Sequence, residues 1–355
     1  MSQIIKRSGA RAQRILEIFE YSGRYQISDI ASLPEAQGIS LATLKRDLNS
    51  LAEAGSIKKT GTTSNLVYSL TDFGLLHRTY DSTEYARKSE NERRVLKNYN
   101  FSILDILSKE EIFTEEEMQM LRTATTVFRE KGNNKSNTIQ TKELERFIIE
   151  LSWKSSKIEG NTYTLLDTEK LIKEGVEAVG HNKDEAIMIL NHKKAFSYIL
   201  ECKEVGKSIV SFPELQNIHR LLVEELGVTH GLRKSAVGIT GTSYLPLSNS
   251  AQIEEETRKL LQVLTEKEEP FSASLLSILG ISYLQPFEDG NKRTARLFSN
   301  GILITSNLAP LSYRSVDERE YREAILMFYE QNSLEALKKI FIDQYIFSSE
   351  NYNVS

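Results

Sequence analysis

The sequence is poor in cysteine, in proline and in long apolar runs. Among its 355 residues there is one cysteine, Cys202, which excludes an intramolecular disulfide framework and a zinc site built from cysteines. Only six prolines occur, so few positions interrupt a helix, and amphipathic periodicity recurs along most of the chain. The sequence therefore predicts a mainly helical protein.

A membrane segment and an excess of positive charge are also missing. No uninterrupted apolar stretch reaches ~18 residues, and the N-terminus lacks the apolar core of a signal peptide. We therefore expect a cytoplasmic protein with no membrane partner. The formal net charge of −4 excludes a global polycation directed at nucleic acid. The length suits about two to three domains.

One stretch carries most of the chemical information. Residues 285–296 read Gln-Pro-Phe-Glu-Asp-Gly-Asn-Lys-Arg-Thr-Ala-Arg, between two apolar runs. A helix that starts near Asn291 would direct its free backbone N–H groups and the positive end of its dipole into the preceding loop. Because Gly290 has no Cβ, an oxygen-rich ligand can approach the backbone closely. These features predict an anion site.

The charged side chains of this stretch fit a magnesium-bound polyphosphate. Arg293 and Arg296 are three residues apart on one helix face, so both guanidinium groups can bind phosphate oxygens. Lys292 adds a third cation. Asp289 is a hard oxygen ligand, suited to a Mg²⁺ ion that bridges phosphates. The residues alone predict a nucleoside triphosphate site.

The same stretch resembles the signature of the Fic (Fido) family, His-x-Phe-x-Asp/Glu-Gly-Asn-Gly-Arg-x-x-Arg. Most known members are protein adenylyltransferases, which move AMP from ATP onto a hydroxyl of a target protein. Two positions depart from the pattern: Gln285 stands where the family has its catalytic His, and Lys292 stands where adenylylating members usually have Gly. The matching positions are Phe287, Asp289, Gly290, Asn291, Arg293 and Arg296.

The two departures bear on the activity that the resemblance implies. In the family, the signature His takes the proton from the attacking hydroxyl, and a general base contributes about 10²–10⁴-fold. Glutamine cannot accept that proton at physiological pH, although it can hydrogen-bond a hydroxyl and position it. We therefore expect Gln285 to leave nucleotide binding intact and transfer lost or much weakened. Some relatives with Asn-Lys-Arg at this point transfer a phosphoryl group, so that reaction stays open.

A second family-like motif lies upstream, at the end of a predicted helix within 137–160. The sequence from Ser155 to Gly160 reads Ser-Ser-Lys-Ile-Glu-Gly and resembles the inhibitory motif Ser-x-x-x-Glu-Gly of Fic proteins. The resemblance implies that Glu159 pairs with Arg296, obstructs the γ-phosphate position and prevents productive ATP binding. Composition alone favours a different interpretation of Glu159, an exposed carboxylate at a helix end.

Residues 231–247 predict a β-hairpin inside the helical domain, because apolar residues alternate with small ones around a Gly-Thr-Ser turn. This segment resembles the Fic flap, which lays its backbone along a target segment. The flap residues would be Val237, Gly238, Ile239 and Thr240, and main-chain bonds would supply the affinity by strand addition. A structural hairpin that only covers the core is the alternative.

Residues 1–75 have a pattern of their own: helix, helix, turn, helix and a short β-hairpin. This order predicts a winged helix-turn-helix domain, and residues 41–48 resemble the recognition helix of bacterial winged-helix regulators. The resemblance implies contacts with duplex DNA from Thr43, Lys45, Arg46 and Asn49 on the helix and from Lys58 and Lys59 on the wing. Winged helices also serve as protein-interaction or dimerisation modules, and the segment is only mildly basic, with 9 Lys/Arg against 7 Asp/Glu.

The expected organisation is a winged helix-turn-helix domain over 1–75, a helical linker over 76–136 and a Fic domain over 137–350. The expected fold class is mainly α, a Fic helical core with a β-hairpin flap plus a small α+β domain. The expected function is AMP transfer from ATP to an unknown target protein, autoinhibited by Glu159 and impaired at Gln285. The alternative is a nucleotide-sensing, DNA-binding transcriptional regulator, and a homodimer stays open.

Overall fold

The computed structural model describes residues 10–62, 65–132 and 136–354. Within these ranges the protein is mainly helical, which confirms the predicted fold class, and its one sheet is a two-stranded antiparallel pair. No helix in the described part of the chain is long and apolar enough to cross a membrane.

The N-terminal unit has the predicted element order. Ser40 begins the third helix, because its Oγ accepts a hydrogen bond from the backbone N–H of Thr43 at 3.2 Å. The two strands pair in register from Ile57↔Leu70 to Thr60↔Val67. Residues 63–64, between them in sequence, lie outside the described residues. The elements are α1 (Ala10–Leu16), α2 (Ile27–Ala31), a 3-10 turn (Pro34–Ala36), α3 (Leu41–Glu53), β1 (Ile57–Thr60) and β2 (Val67–Leu70).

The rest of the described chain is helical, and the expected domain boundary at residue 75 falls inside its first helix. The elements are α4 (Asp72–His77), α5 (Ser82–Arg87), a 3-10 turn (Glu90–Glu92), α6 (Ile103–Lys109), α7 (Glu115–Gly132), α8 (Asn137–Ile158), α9 (Leu165–Glu174), α10 (Lys183–Glu204), α11 (Phe212–Val223), α12 (Ser250–Glu266), α13 (Pro270–Leu284), α14 (Asn291–Thr305), α15 (Glu318–Gln331) and α16 (Glu335–Asn351).

Helices α13 and α14 form the centre of the core. Every residue of α13 from Phe271 to Leu284 is buried, as its continuous apolar sequence requires. Gly280 lets α12 approach, since a Cβ there would lie 2.4 Å from Leu260 Cδ1. Helix α14 packs against α8, α10, α11 and α13. The loop between α13 and α14, which holds the signature, is therefore fixed at both ends by buried helices.

Residues 231–247 depart from the predicted β-hairpin, because no paired strands occur there. The segment is irregular, with a turn at residues 240–241 and an isolated parallel bridge from Leu245 to Asn98. Its polar groups bond to other parts of the protein: the N–H of Leu245 donates to Lys97 O at 2.7 Å. Pro246 has no N–H for a ladder. Alternation of residue types does not reveal such outside partners.

Candidate active site

The signature loop is fastened by the first residue of α14. Gln285 (φ 50°) and Gly290 (φ 76°) both take the left-handed conformation, so the chain turns sharply at each end of the loop. Asn291 Oδ1 accepts from the N–H of Phe287 at 2.9 Å, and Asn291 Nδ2 donates to Phe287 O at 2.8 Å. These bonds hold the loop against the N-terminus of α14, where free backbone N–H groups can bind an anion.

Helix α11 supports the same loop from below. The ring of His219 stacks on Phe287, with centroids 3.7 Å apart and planes 5° from parallel. His219 Nε2 lies 3.1 Å from Asp289 O and donates to it. Burial lowers the pKa of His219 to about 4, so its ring is neutral near pH 7. A Cβ at Gly290 would lie 3.0 Å from Val223 Cγ1, which leaves little room for any side chain at that position.

Gln285 is also bound within the loop. Its Nε2 donates to Ser282 O at 2.6 Å, and its Oε1 accepts from Asn291 Nδ2 at 2.9 Å. The residue is 8% exposed. Because both ends of the amide have partners inside the protein, Gln285 fastens the loop in this conformation, and positioning a substrate hydroxyl would require it to give up one of these bonds.

The two signature arginines are buried and point to different neighbours. Arg293 Nη2 lies 3.0 Å from Asp289 Oδ2, and burial lowers the pKa of this guanidinium. Arg296 donates from Nε to Ser155 Oγ and from Nη2 to Ser155 O, both at 2.9 Å. Arg296 Nη1 is buried without a hydrogen-bond partner in the described structure. The fork of Arg296 therefore has an unused donor.

Glu159 lies at the end of α8 and faces the signature. Its Oε1 is 2.9 Å from Arg296 Nη2, and its Oε2 is 3.8 Å from Lys292 Nζ. Burial disfavours the charged carboxylate, but Arg296, Lys292 and Arg293 outweigh that effect and lower the pKa of Glu159. Its side chain is 20% exposed. The interpretation of Glu159 as an exposed carboxylate, favoured by composition, does not describe this arrangement.

Gly160 ends the helix that carries Glu159. Its φ of +97° is strained for a residue with a Cβ, and an added Cβ would meet nothing within 4 Å, so backbone conformation alone accounts for glycine here. The predicted trio of Ser155, Glu159 and Gly160 thus forms one helix end against Arg296.

Sequence reasoning missed His192, on α10. Its Nδ1 lies 2.9 Å from Met188 O, and its Nε2 lies 2.8 Å from Ser155 Oγ. A carbonyl can only accept, so Nδ1 carries the proton and Nε2 accepts from the Ser155 hydroxyl. Burial lowers the pKa of His192 to about 3. Ser155 therefore accepts from Arg296 and donates to His192, a link between three helices that no local sequence pattern indicates.

Arg233 is a second residue that sequence reasoning missed. It is 1% exposed, and its side chain donates to the carbonyl oxygens of Gln285 at 2.6 Å, Ser235 at 2.8 Å and Leu247. The backbone N–H of Arg233 donates to Pro286 O at 3.0 Å. This arginine ties the segment 231–247 to the start of the signature loop.

A cleft of about 250 Å³ separates the predicted flap residues from α15. Ile239 and Thr240 line one side, Tyr321 and Tyr329 line the other, and Lys292 borders it. Val237 is half-buried and Gly238 is exposed. Within the described structure, residues 237–240 make no backbone–backbone hydrogen bond. Their main-chain groups are therefore free to pair with an added strand.

Asp289 has the environment expected of a lone metal carboxylate. Its side chain is 68% exposed and meets Arg293 through one oxygen. Among the described residues, no group of three His, Cys, Asp or Glu side chains lies close enough to hold a metal by itself. A single carboxylate fits Mg²⁺, which keeps several waters and is bound largely by substrate phosphates.

The predicted DNA-facing residues lie together on the N-terminal unit. Lys45 and Arg46 are exposed on α3, and Lys58 and Lys59 are exposed on β1. Lys59 Nζ donates to Asn49 Oδ1 at 2.5 Å, which brings one wing residue against the exposed face of α3. Lys58 is the next residue along the strand, so its side chain leaves β1 on the opposite face from Lys59. Thr43 is half-buried and close to Ser40, with Oγ1 3.0 Å from the Ser40 Oγ.

Residues 209–303 match the Fic/DOC family. The match covers α11 to most of α14, including the segment 231–247 and the signature loop. A protein adenylyltransferase Fic of Nematostella vectensis is 27% identical over 176 residues, which are 48% of this chain and 40% of that protein. The chain thus spans well under two thirds of that relative.

Solved structures show the same fold at lower identity. A Fic family protein from Desulfovibrio desulfuricans G20 aligns with a TM-score of 0.56 and 20% identity over 67% of this chain and 74% of its own. Fic-1 of C. elegans aligns with a TM-score of 0.55 and 17% identity over 70% of this chain and 80% of its own. The Fic/DOC match and these alignments place the helical core among Fic folds.

Proposed function

We propose that this chain is a Fic-type AMP transferase, which binds ATP and is held inactive by Glu159. The observation that carries the proposal is the approach of Glu159 Oε1 to within 2.9 Å of Arg296 Nη2, beside a helix N-terminus that is built to bind an anion. The similarity to named adenylyltransferases supports the choice of AMP as the transferred group.

In this proposal, the polyphosphate occupies the loop that precedes α14. Backbone N–H groups at Asn291 and beyond, with the side chains of Lys292, Arg293 and Arg296, would bind its oxygens and stabilise charge that develops during transfer. Asp289 would hold Mg²⁺, which would neutralise phosphate charge and polarise the reacting phosphorus. The cleft between Ile239 and Tyr321 would accept the base, since Ile239, Tyr321 and Tyr329 supply apolar and aromatic surface beside the charged residues of its lining.

The target protein would bind as an added strand. Residues 237–240 border the cleft, and their main-chain groups are free to pair. Main-chain pairing supplies affinity with little reading of sequence, so the surrounding surface would set which hydroxyl-bearing segment is chosen. The target itself is left as a protein with an accessible hydroxyl in an extended segment.

Glu159 would inhibit by occupying the fork of Arg296. The fork can bind a phosphate in two parallel hydrogen bonds, but it already donates to Ser155 and pairs with Glu159. Arg296 is fully buried, and a charge pair of this kind is costly to break from one side. Withdrawal of the end of α8 would therefore be needed before a γ-phosphate could bind.

Gln285 would limit the chemical step. A glutamine cannot take the proton of the attacking hydroxyl, and its amide is bound by Ser282 and Asn291. Binding and positioning would survive, because they depend on α14 and the cleft. Lys292 would place a flexible cation beside the phosphates. Transfer of a phosphoryl group instead of AMP is the competing reaction.

Isotope labelling tests the reaction. The protein, Gln285→His and the double variant Glu159→Gly/Gln285→His are incubated with Mg²⁺ and ATP labelled at the α- or γ-phosphate. We expect protein-bound α-label, strongest in the double variant. Label from the γ-phosphate would favour phosphoryl transfer, and no label from any form would overturn the proposed transferase.

Calorimetry tests inhibition of nucleotide binding by Glu159, which we call the gate, separately from the transfer reaction. Glu159→Gly should bind ATP or ADP at least about tenfold more tightly than the parent, since each 1.4 kcal/mol changes an affinity tenfold. Glu174→Gly is a matched control, because Glu174 is exposed and also ends a helix before a left-handed glycine, Gly175. Equal affinities in all three proteins would refute the gate.

The second candidate is a nucleotide-sensing, DNA-binding regulator. It is favoured by the exposed cations Lys45 and Arg46 on α3 and by Lys59, which contacts Asn49 on the same helix; the transferase proposal does not use these residues. In that case the Fic-like core would sense ATP without transferring AMP.

A further inference from the structure

The linker between the N-terminal unit and the core runs beside the segment that follows the flap residues. The N–H of Leu245 donates to Lys97 O at 2.7 Å. Arg93, whose side chain is 4% exposed, donates from Nη2 to Gly241 O at 2.7 Å. Residues 93–97 thus hold residues 241–245 at two points, one main-chain and one charged.

Glu330, near the end of α15, is where the linker and this segment meet. Its side chain is fully buried, and Oε1 accepts from Thr242 Oγ1 at 2.6 Å and lies 3.3 Å from Arg93 Nη2. Oε2 accepts from Tyr85 OH at 2.8 Å. One carboxylate therefore joins residues 241–245, the linker and α15. The cleft lies between the flap residues and α15.

The network continues from α15 into the N-terminal unit. Gln331 Nε2 donates to Tyr85 OH at 2.9 Å, and Gln331 Oε1 accepts from Arg78 Nη2 at 3.1 Å. Arg78 is buried, and its Nη1 donates to Phe19 O at 2.9 Å. Phe19 belongs to the core of the N-terminal unit, where its ring meets that of Tyr25 edge-on.

We propose that this network couples the N-terminal unit to residues 241–245, which directly follow the flap residues 237–240. The links run from Phe19 through Arg78 and Gln331 to Tyr85, and from there through Glu330 and Arg93 to residues 241–245. A role for residues 241–245 in positioning the acceptor hydroxyl rests on the proposed transferase function. The coupling itself does not depend on that function.

The chemistry of the network makes it behave as a unit. A buried carboxylate or guanidinium that loses one partner is left with an uncompensated charge, so rearrangement at one end is transmitted to the next group. A ligand of the N-terminal unit that displaces Arg78 from Phe19 would loosen residues 241–245. By linkage, a peptide bound at the flap residues would change the affinity of the N-terminal unit for that ligand.

Hydrogen exchange of the full-length protein without nucleotide tests the coupling. The reporters are the amides of Tyr244 and Leu245, whose acceptors are Thr242 Oγ1 and Lys97 O. We expect Arg93→Met and Arg78→Met each to speed their exchange about tenfold or more, a change that corresponds to losing one hydrogen bond to a charged group. Arg258→Met is the control, because Arg258 is 58% exposed and its partners, Glu254 and the ring of Phe212, lie outside the network.

A milder variant separates a local effect on residues 241–245 from global unfolding of the protein. Tyr85→Phe removes one hydroxyl that bridges Glu330 and Gln331, and the core amide of Leu279 on α13 reports global opening. Faster exchange at Leu245 with unchanged exchange at Leu279, in Tyr85→Phe as in Arg78→Met, supports the coupling. Exchange at Leu245 that changes only in proportion to Leu279, or that stays at the parent rate in Arg78→Met, overturns it.

The outcome is independent of the transferase proposal. If no variant incorporates label from ATP while Leu245 still responds to Arg78→Met, the transferase fails and the coupling stands. If label is incorporated but Leu245 does not respond, the coupling alone fails.

Discussion

At the scale of single residues, Ser155 does more than its place in a motif suggests. Its hydroxyl accepts from Arg296 and donates to His192, and its carbonyl also accepts from Arg296. A residue that a pattern marks only as small and polar thus fixes both the guanidinium that pairs with Glu159 and the helix that carries Glu159.

We predict that Ser155→Ala lowers the free energy of unfolding by about 1–3 kcal/mol, because Arg296 Nε and His192 Nε2 are left buried without a partner. Denaturant unfolding measures the change. Ser108→Ala is the control, since the Ser108 hydroxyl donates to Asp105 O within its own helix and bonds to no other element of the described structure. A loss no larger than that of the control would contradict this account of Ser155.

His192 should make stability depend on pH. Burial among Arg293 and Arg296 lowers its pKa from 6.5 to about 3. Below pH 6.5 the unfolded chain therefore takes up a proton that the native protein refuses, so stability is lost as pH falls toward 3. Between pH 7 and pH 5 the loss from this one residue is about 2 kcal/mol.

The variant His192→Gln tests this, because its amide can still accept from Ser155 but does not titrate. Unfolding curves at pH 7 and pH 5 should differ less for the variant than for the parent. His219, with a pKa lowered to about 4, stays in both proteins, so the difference between them isolates His192. Parallel pH dependence in the two proteins would show that His192 is not the source.

The resemblance to the inhibitory motif implied a contact between Glu159 and Arg296, and the two side chains lie 2.9 Å apart. Sequence reasoning did not predict the contact of Ser155 with Arg296. It failed for His192 and Arg233, whose partners lie 37 and 52 residues away in the chain. Nothing in the local spacing of a buried histidine indicates which distant hydroxyl it will face.

At the scale of elements, the loop before α14 depends on glycine for two separable reasons. Gly290 has φ 76°, and its missing Cβ also leaves room for Val223 at 3.0 Å. Gly206 has φ 66°, and a Cβ there would meet nothing within 4 Å. A comparison of alanine substitutions at Gly206 and Gly290 therefore separates the cost of the left-handed backbone from the cost of crowding against Val223.

We predict that Gly206→Ala and Gly290→Ala each lower the free energy of unfolding by about 1–2 kcal/mol, the cost of a left-handed conformation with a Cβ. Gly290→Ala should cost more, because Val223 must move, and in a Glu159→Gly background it should also abolish ATP binding. Denaturant unfolding and calorimetry measure the two effects. Unchanged ATP affinity in Gly290→Ala would show that this loop is not the phosphate site.

Elements with strong helical periodicity were predictable, and the flap was not. The helix expected within 137–160 occurs as Asn137–Ile158, because its apolar spacing and the final Gly160 are local signals. The hairpin expected within 231–247 does not occur, because Lys97 and Arg93 bind its backbone groups from the linker. Arg233, inside the segment, bonds to Ser235 O and to Gln285 O of the signature loop.

At the scale of the whole molecule, residues 1–75 have the order of helices and strands expected from sequence in their described part, but their contacts with the core are not indicated by any local pattern. The predicted boundary at residue 75 lies within α4. Arg78 bonds to Phe19, 59 residues earlier in the chain, and to Gln331, 253 residues later. Contacts of such length depend on how the helices pack, which periodicity does not encode.

The surface of α3 and β1 leads to a last prediction, which separates the regulator from a protein-interaction module. If Lys45 and Arg46 contact phosphates, affinity for duplex DNA falls with salt, because each neutralised phosphate releases condensed counterions. Lys45→Gln should then weaken binding to all sequences alike and reduce the slope of log affinity against log salt by about 1. Lys170→Gln, at an exposed site on α9, should change neither quantity. Binding that is absent, or that does not respond to salt, would contradict phosphate contacts at this surface and favour the protein-interaction module, whose partner needs no phosphate contacts.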